Sequence, residues 1–120
     1  MAERPARVFC SYSHRDDQFR QELEAHLSVL TRQNLIIFWY DRRIVPGDEW
    51  KTAIADRLED ADIIPLLISA YFISSDYCYK IELGRALQRH QEGSAVVIPI
   101  YVRACDWDGL DFAKLQGLPP

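Results

Sequence analysis

Leu66 to Leu87, LLISAYFISSDYCYKIELGRAL, is the stretch whose reading decides the fold. The aliphatic run Leu66, Leu67 and Ile68 reads as the end of a buried strand. A polar loop is expected from Ser69 to Asp76, with Ser74, Ser75 and Asp76 as helix-start signals. A helix then runs from about Tyr77 toward His90, with Glu82 in its first turns. Strand, loop and helix in that order belong to an α/β unit. In open α/β folds the crevice beyond the carboxyl ends of the strands is where ligands bind. Glu82 is a carboxylate placed one loop past such a strand.

Outward from this stretch the same unit recurs. Arg7 to Ser11 reads as a first strand, and Ser13 with Asp16 offers an N-cap and an acidic first turn. The helix that follows sets Phe19, Leu23, Leu27 and Leu30 at helical spacing, with Arg20, Glu22 and Glu24 on its other face. Leu35 to Trp39 is a second strand without polar alternation, which predicts burial on both faces. Pro46-Gly47 marks a loop, and Asp48 is positioned to cap a helix with Trp50, Ala53, Ile54, Leu58 and Ala61 on its apolar side. Ile63 to Ser69 is the third strand, and Pro65 should fall near its start or at a bulge. Ala95 to Val102 is the fourth. Strands alternating with helices imply right-handed crossovers and a parallel sheet. The expected class is α/β, a flavodoxin-like three-layer fold with four to five parallel strands and helices on both faces.

Composition bounds the rest. The chain has 120 residues, enough for one domain, here residues 5–120. Hydrophobic residues are 48% and charged residues 27%, values of an ordinary globular domain. A net charge of −4 argues against a nucleic-acid module. The cysteines Cys10, Cys78 and Cys105 form neither a CxxC pair nor a metal-ligand spacing, and their sparse, odd count suits a reducing cytoplasm. No signal peptide and no membrane span is legible, and His14, His26 and His90 suggest neither metal nor triad.

Three motifs together resemble the TIR domain family, in its bacterial form. Phe9-Cys10-Ser11-Tyr12 looks like the family's first box. Asp41 to Gly47, DRRIVPG, is similar to its proline-glycine loop, and Ser74 to Glu82, SSDYCYKIE, to the segment carrying its glutamate. The resemblance implies cleavage of NAD+ at the nicotinamide–ribose bond, with NAD+ as substrate, no cofactor and no metal. Glu82 is then the catalytic residue, and Phe9, Ser11, Trp39, Asp41, Arg42, Ser74 and Cys78 are substrate-binding. Arg42 and Arg43 suit the diphosphate, and Ser74 with Ser75 suits an anion at a helix N-terminus. The absence of GxGxxG separates this pattern from a redox dinucleotide fold.

The resemblance further implies assembly through Ile44, Val45, Pro46 and Gly47 with other TIR domains, as a homo-oligomer or filament. It also implies a fused or associated sensor domain and a role in anti-phage innate immunity, while the charge and the lack of an apolar span argue for neither nucleic-acid nor membrane partners. Two departures stand out. Cys78 occupies a position where many members have Trp, and the chain stops at Pro119-Pro120, before the family's fifth strand and last helix. Plainer readings stand beside these. Glu82 and Arg85 fit a surface ion pair, Phe9 and Trp39 fit strand-end core positions, Cys78 fits simple packing, and Arg42 and Arg43 fit a solvated loop. The corresponding functional alternative is a non-enzymatic TIR–TIR adaptor. A third, weaker reading is a nucleoside-transferring enzyme.

Overall fold

β1 (Ala6–Cys10) forms where an apolar run can be buried from both sides, and it is the strand on which the sheet is laid out. The computed structural model describes residues 4–40, 56–74 and 82–103. β2 (Ile36–Tyr40) pairs with β1 in parallel along its whole length, Ala6 with Ile36 through Cys10 with Tyr40. β3 (Ile63–Ile68) lies on the other side of β1, and β4 (Val96–Tyr101) pairs with β3 from Ile63–Val96 to Ile68–Tyr101. The order β2-β1-β3-β4, all parallel, is that of the expected flavodoxin-like fold.

The period of two along each strand divides the interior into two clusters. Phe9, Ile64, Leu66, Ile68 and Val97 face one way, and Val8, Cys10, Phe38 and Leu67 face the other. The first cluster is covered by Leu58 of helical residues 56–60 (α3), Phe72 of α4 (Ala70–Ser74), and Leu83 and Ala86 of α5 (Leu83–Glu92). The second is covered by Phe19 and Leu23 of α1 (Asp17–His26) and by Leu27 just beyond it. Helices therefore lie on both faces. Ile64, Leu66 and Ile68 are each 0% exposed. Burial of side chains this size is worth about 1.5–3 kcal/mol apiece.

Several elements differ from the sequence expectation, each for a local reason. The expected polar loop after β3 begins with α4, because Ser69 Oγ accepts the Phe72 N–H at 3.1 Å and so caps a helical turn. The helix after β1 opens with a 3-10 turn, His14–Asp16, capped by Ser13. It breaks at Leu27 and resumes as α2 (Ser28–Arg32), leaving Leu30 exposed. Asn34 then takes a left-handed φ of 59° to turn the chain into β2.

β2 is not buried on both faces. Ile36 and Phe38 are inside while Ile37 is exposed, because β2 stands at an end of the described strand order. Arg20, expected on the solvent face, is buried. It is paired with Asp17 and Glu24 and lies over the Tyr40 ring at 4.0 Å. Pro65 is the third residue of β3, in a central strand. The β1–β3 ladder joins Val8 to Ile63 and resumes only at Ser11–Leu66, as follows from proline having no N–H to give. The expected start of α5 near Tyr77, and the Asp48 cap and Trp50, lie outside the described residues. α5 ends on Gly93, whose φ of 79° lets Ser94 N–H reach Arg89 O at 3.0 Å.

Candidate functional site

Ser11 follows β1 directly, and both of its backbone groups are bonded to β3. Its N–H donates to Pro65 O and its C=O accepts from Leu67 N–H, each at 3.0 Å. The strand period places its side chain on the same face as Phe9, the face covered by α5. There Ser11 Oγ donates to Glu82 Oε2 at 2.8 Å. Glu82 immediately precedes α5, with φ −69° and ψ −47°, so its backbone is already helical. It is 2% exposed and Ser11 is 1% exposed. Glutamate is almost never this buried without polar partners. A carboxylate is thus fixed by a hydroxyl at the carboxyl end of the central strand.

The surface ion pair that the spacing allowed is not what Arg85 makes. Its guanidinium bonds Glu59, with Nη2 to Oε2 at 2.7 Å, and lies 3.8 Å from Glu92. The Arg85 hydrogen bond holds the Glu59 carboxyl below its ordinary value. Arg85 is turned to α3, while Glu82 is turned inward beside Leu83, which is 1% exposed.

The other sequence-predicted site residues are placed as follows. Phe9 has no exposed surface and belongs to the core cluster that includes Leu83. Trp39 is in register with Phe9, packs against the same cluster, and carries the Arg57 guanidinium over its ring at 4.5 Å. Ser74 is exposed and lies in the helical stretch α4, and its Oγ donates to Tyr71 O at 3.2 Å. Asp41, Arg42, Arg43, Ile44, Val45, Pro46, Gly47, Ser75 and Cys78 lie outside the described residues. The structure therefore joins Ser11 to Glu82 directly, sets Phe9 in the core with the partly buried Trp39 packed against it, and bonds Ser74 within α4.

A second polar group at the same end of the sheet escaped the sequence reading. Asp16 is 0% exposed. It accepts from Ser69 Oγ through Oδ2 and from Arg103 Nε through Oδ1, the latter at 2.8 Å. Ser69 had a local signal, a serine three residues before Phe72. Asp16 read as an acid of a helix's first turn, and Arg103 joins it from 87 positions away, which no local pattern reveals.

Among the described residues no helix is long and apolar enough to cross a membrane. The family model described as "TIR domain" matches residues 8–118. A protein of Sinorhizobium fredii (strain NBRC 101917 / NGR234), named "Uncharacterized protein y4lF", is 54% identical over 112 residues. That match covers 93% of this chain and 35% of the relative, so the chain spans about a third of that relative's length.

Proposed function

This chain belongs to the TIR domain family, and from that premise we propose that it is an NAD+ glycohydrolase whose catalytic carboxylate is Glu82. The observation that carries the reading is the burial of Glu82 at the sheet's carboxyl end, held by Ser11. The family includes NAD-cleaving members. A carboxylate withdrawn from bulk water and fixed in orientation is what electrostatic stabilisation of a developing cation requires.

The chemistry explains why one carboxylate suffices. Glycosidases generally need a second carboxyl group to protonate the leaving oxygen. In NAD+ the leaving group is a pyridinium. The C1′–N bond breaks, its electron pair returns to the ring nitrogen, and nicotinamide leaves neutral without a proton. Positive charge develops on the ribose, where Glu82 stabilises it and accepts from ribose hydroxyls. Water then forms the new C1′–O bond and releases one proton, giving ADP-ribose. Attack by the adenine ring instead gives cyclic ADP-ribose as a second outlet. Ser11 keeps the carboxylate from rotating away.

TIR domains commonly associate with one another. In the proposed account such assembly switches the enzyme on, with Ile44, Val45 and Pro46 as the contact, and the chain is the effector part of a bacterial immune protein. The test is to incubate concentrated protein with NAD+ and follow nicotinamide release, with and without an artificial clustering tag. Release that rises on clustering supports the proposal. No release in either state, with self-association intact, returns the chain to the adaptor reading.

A further inference from the structure

Asp16, Ser69 and Arg103 stand just past three different strands, β1, β3 and β4. They converge on one carboxylate that has no exposed surface. The Ser69 hydroxyl has one proton and gives it to Asp16. Its lone pairs are then left to accept the Phe72 N–H that starts α4. Donation to a carboxylate strengthens the acceptance, because hydrogen bonds in a chain polarise one another. Asp16 is thereby linked through Ser69 to the first turn of α4.

The exit of β1 does this twice. Ser11 holds Glu82, and Asp16, five positions on, holds Ser69. Both ends of the stretch from Ser69 to Glu82 are tied to the same short piece of chain. That piece is itself bonded to β3 through Ser11 and closed by Asp16 N–H on Ser13 O at 2.8 Å. The geometry points to Asp16 and Ser69 as positioning residues for Glu82. They anchor the chain where it leaves β3, and Ser11 holds Glu82 where α5 begins. This inference rests on the proposed function for its catalytic consequence, and on hydrogen bonding alone for its structural one.

The experiment uses the chain with Ser69→Ala, Ser69→Thr, Asp16→Asn and the double variant Asp16→Asn/Ser69→Ala. Two readouts are taken: nicotinamide release under clustering, and hydrogen exchange by mass spectrometry. Ser69→Ala is expected to lower kcat on the order of 10-fold with KM within about 2-fold, since small misplacements of a reacting group cost this much or more. Ser69→Thr, which keeps the hydroxyl, restores most of the rate. In the double variant the losses are less than additive, because the two changes share the Ser69–Asp16 link while only Asp16→Asn also touches Arg103.

Exchange should accelerate in peptides covering α4 and the first turns of α5 while the four strands stay protected. The inference is overturned by unchanged exchange there, by faster exchange spread evenly over the strands, or by fully additive losses in the double variant. If Asp16→Asn does not fold, the two Ser69 variants decide. If the parent chain releases no nicotinamide, the proposed function fails. The exchange pattern then still accepts or rejects the positioning role.

Discussion

Replacing Ser11 with alanine removes one hydroxyl from a site where both partners are almost fully enclosed. Ser11 is 1% and Glu82 2% exposed, and the bond between them is 2.8 Å long. The backbone of Ser11 keeps its two bonds to β3, so the perturbation is confined to the side chain. A hydrogen bond to a charged acceptor contributes about 1.5–3 kcal/mol. For a domain of this size that corresponds to a fall in Tm of roughly 3–6 °C per kcal/mol, interpolated from typical unfolding entropies.

Urea denaturation of the parent, Ser11→Ala, Glu82→Gln and the double variant completes a cycle. In the Glu82→Gln background the acceptor is neutral, and the serine should contribute only about 0.5–1.5 kcal/mol. A coupling of about 1 kcal/mol or more is therefore expected between the two positions. A Ser11→Ala loss below about 0.5 kcal/mol, or a coupling indistinguishable from zero, would refute the claim that Ser11 holds the carboxylate.

Arg89 is 7% exposed and donates to the carbonyls of Leu58, Ala61 and Ser94 at 2.6–2.7 Å, tying the end of α3 to the end of α5. Arg89→Met should cost about 2–4 kcal/mol in denaturant titrations, because those buried carbonyls lose their donor. Burial is the largest influence on Asp17 and pushes its carboxyl up. The hydrogen bonds from Gln21, Tyr12 and Arg20, with the Arg20 charge, outweigh it and hold the group below its ordinary value. A depressed carboxyl contributes stability above its unfolded value near about 4 and loses it as pH falls through the folded value. Asp17→Asn should thus be less stable than the parent at pH 7, and the gap should close on acidification below about pH 4. Asn34→Ala places an ordinary side chain at φ 59° and should cost about 1 kcal/mol by the same titration.

Much of the fold was legible because its signals are local. Ile64, Leu66 and Ile68 alternate inward in a run with no polar interruption, and the strand–helix alternation forces parallel crossovers. The Ser13 cap and the apolar positions Phe19 and Leu23 followed from spacing alone. What was misread depends on neighbours distant in sequence. Arg20 looks solvated on a helical wheel, yet Tyr40 supplies a ring and Asp17 and Glu24 supply charges that let it be buried. Ile37 looks like core until β2 is seen at an end of the strand order.

At the candidate site, Glu82 could be singled out from one strand and one loop, but its partner could not. Arg85, three positions on, was the nearer candidate, and Ser11 is 71 positions away. Asp16 was hidden for the same reason, since its burial is set by Ser69 and Arg103.

The most direct trial of the account measures nicotinamide release from NAD+ by the clustered chain and by its Glu82→Gln variant, at matched concentration and with folding verified by circular dichroism. Glu82→Gln keeps the side chain's shape and a hydrogen-bond acceptor for Ser11 but removes the charge. The parent is expected to release nicotinamide, and the variant at a rate at least about 100-fold lower, the scale of losing a principal electrostatic stabiliser. Equal release by the two proteins would contradict the catalytic role of Glu82.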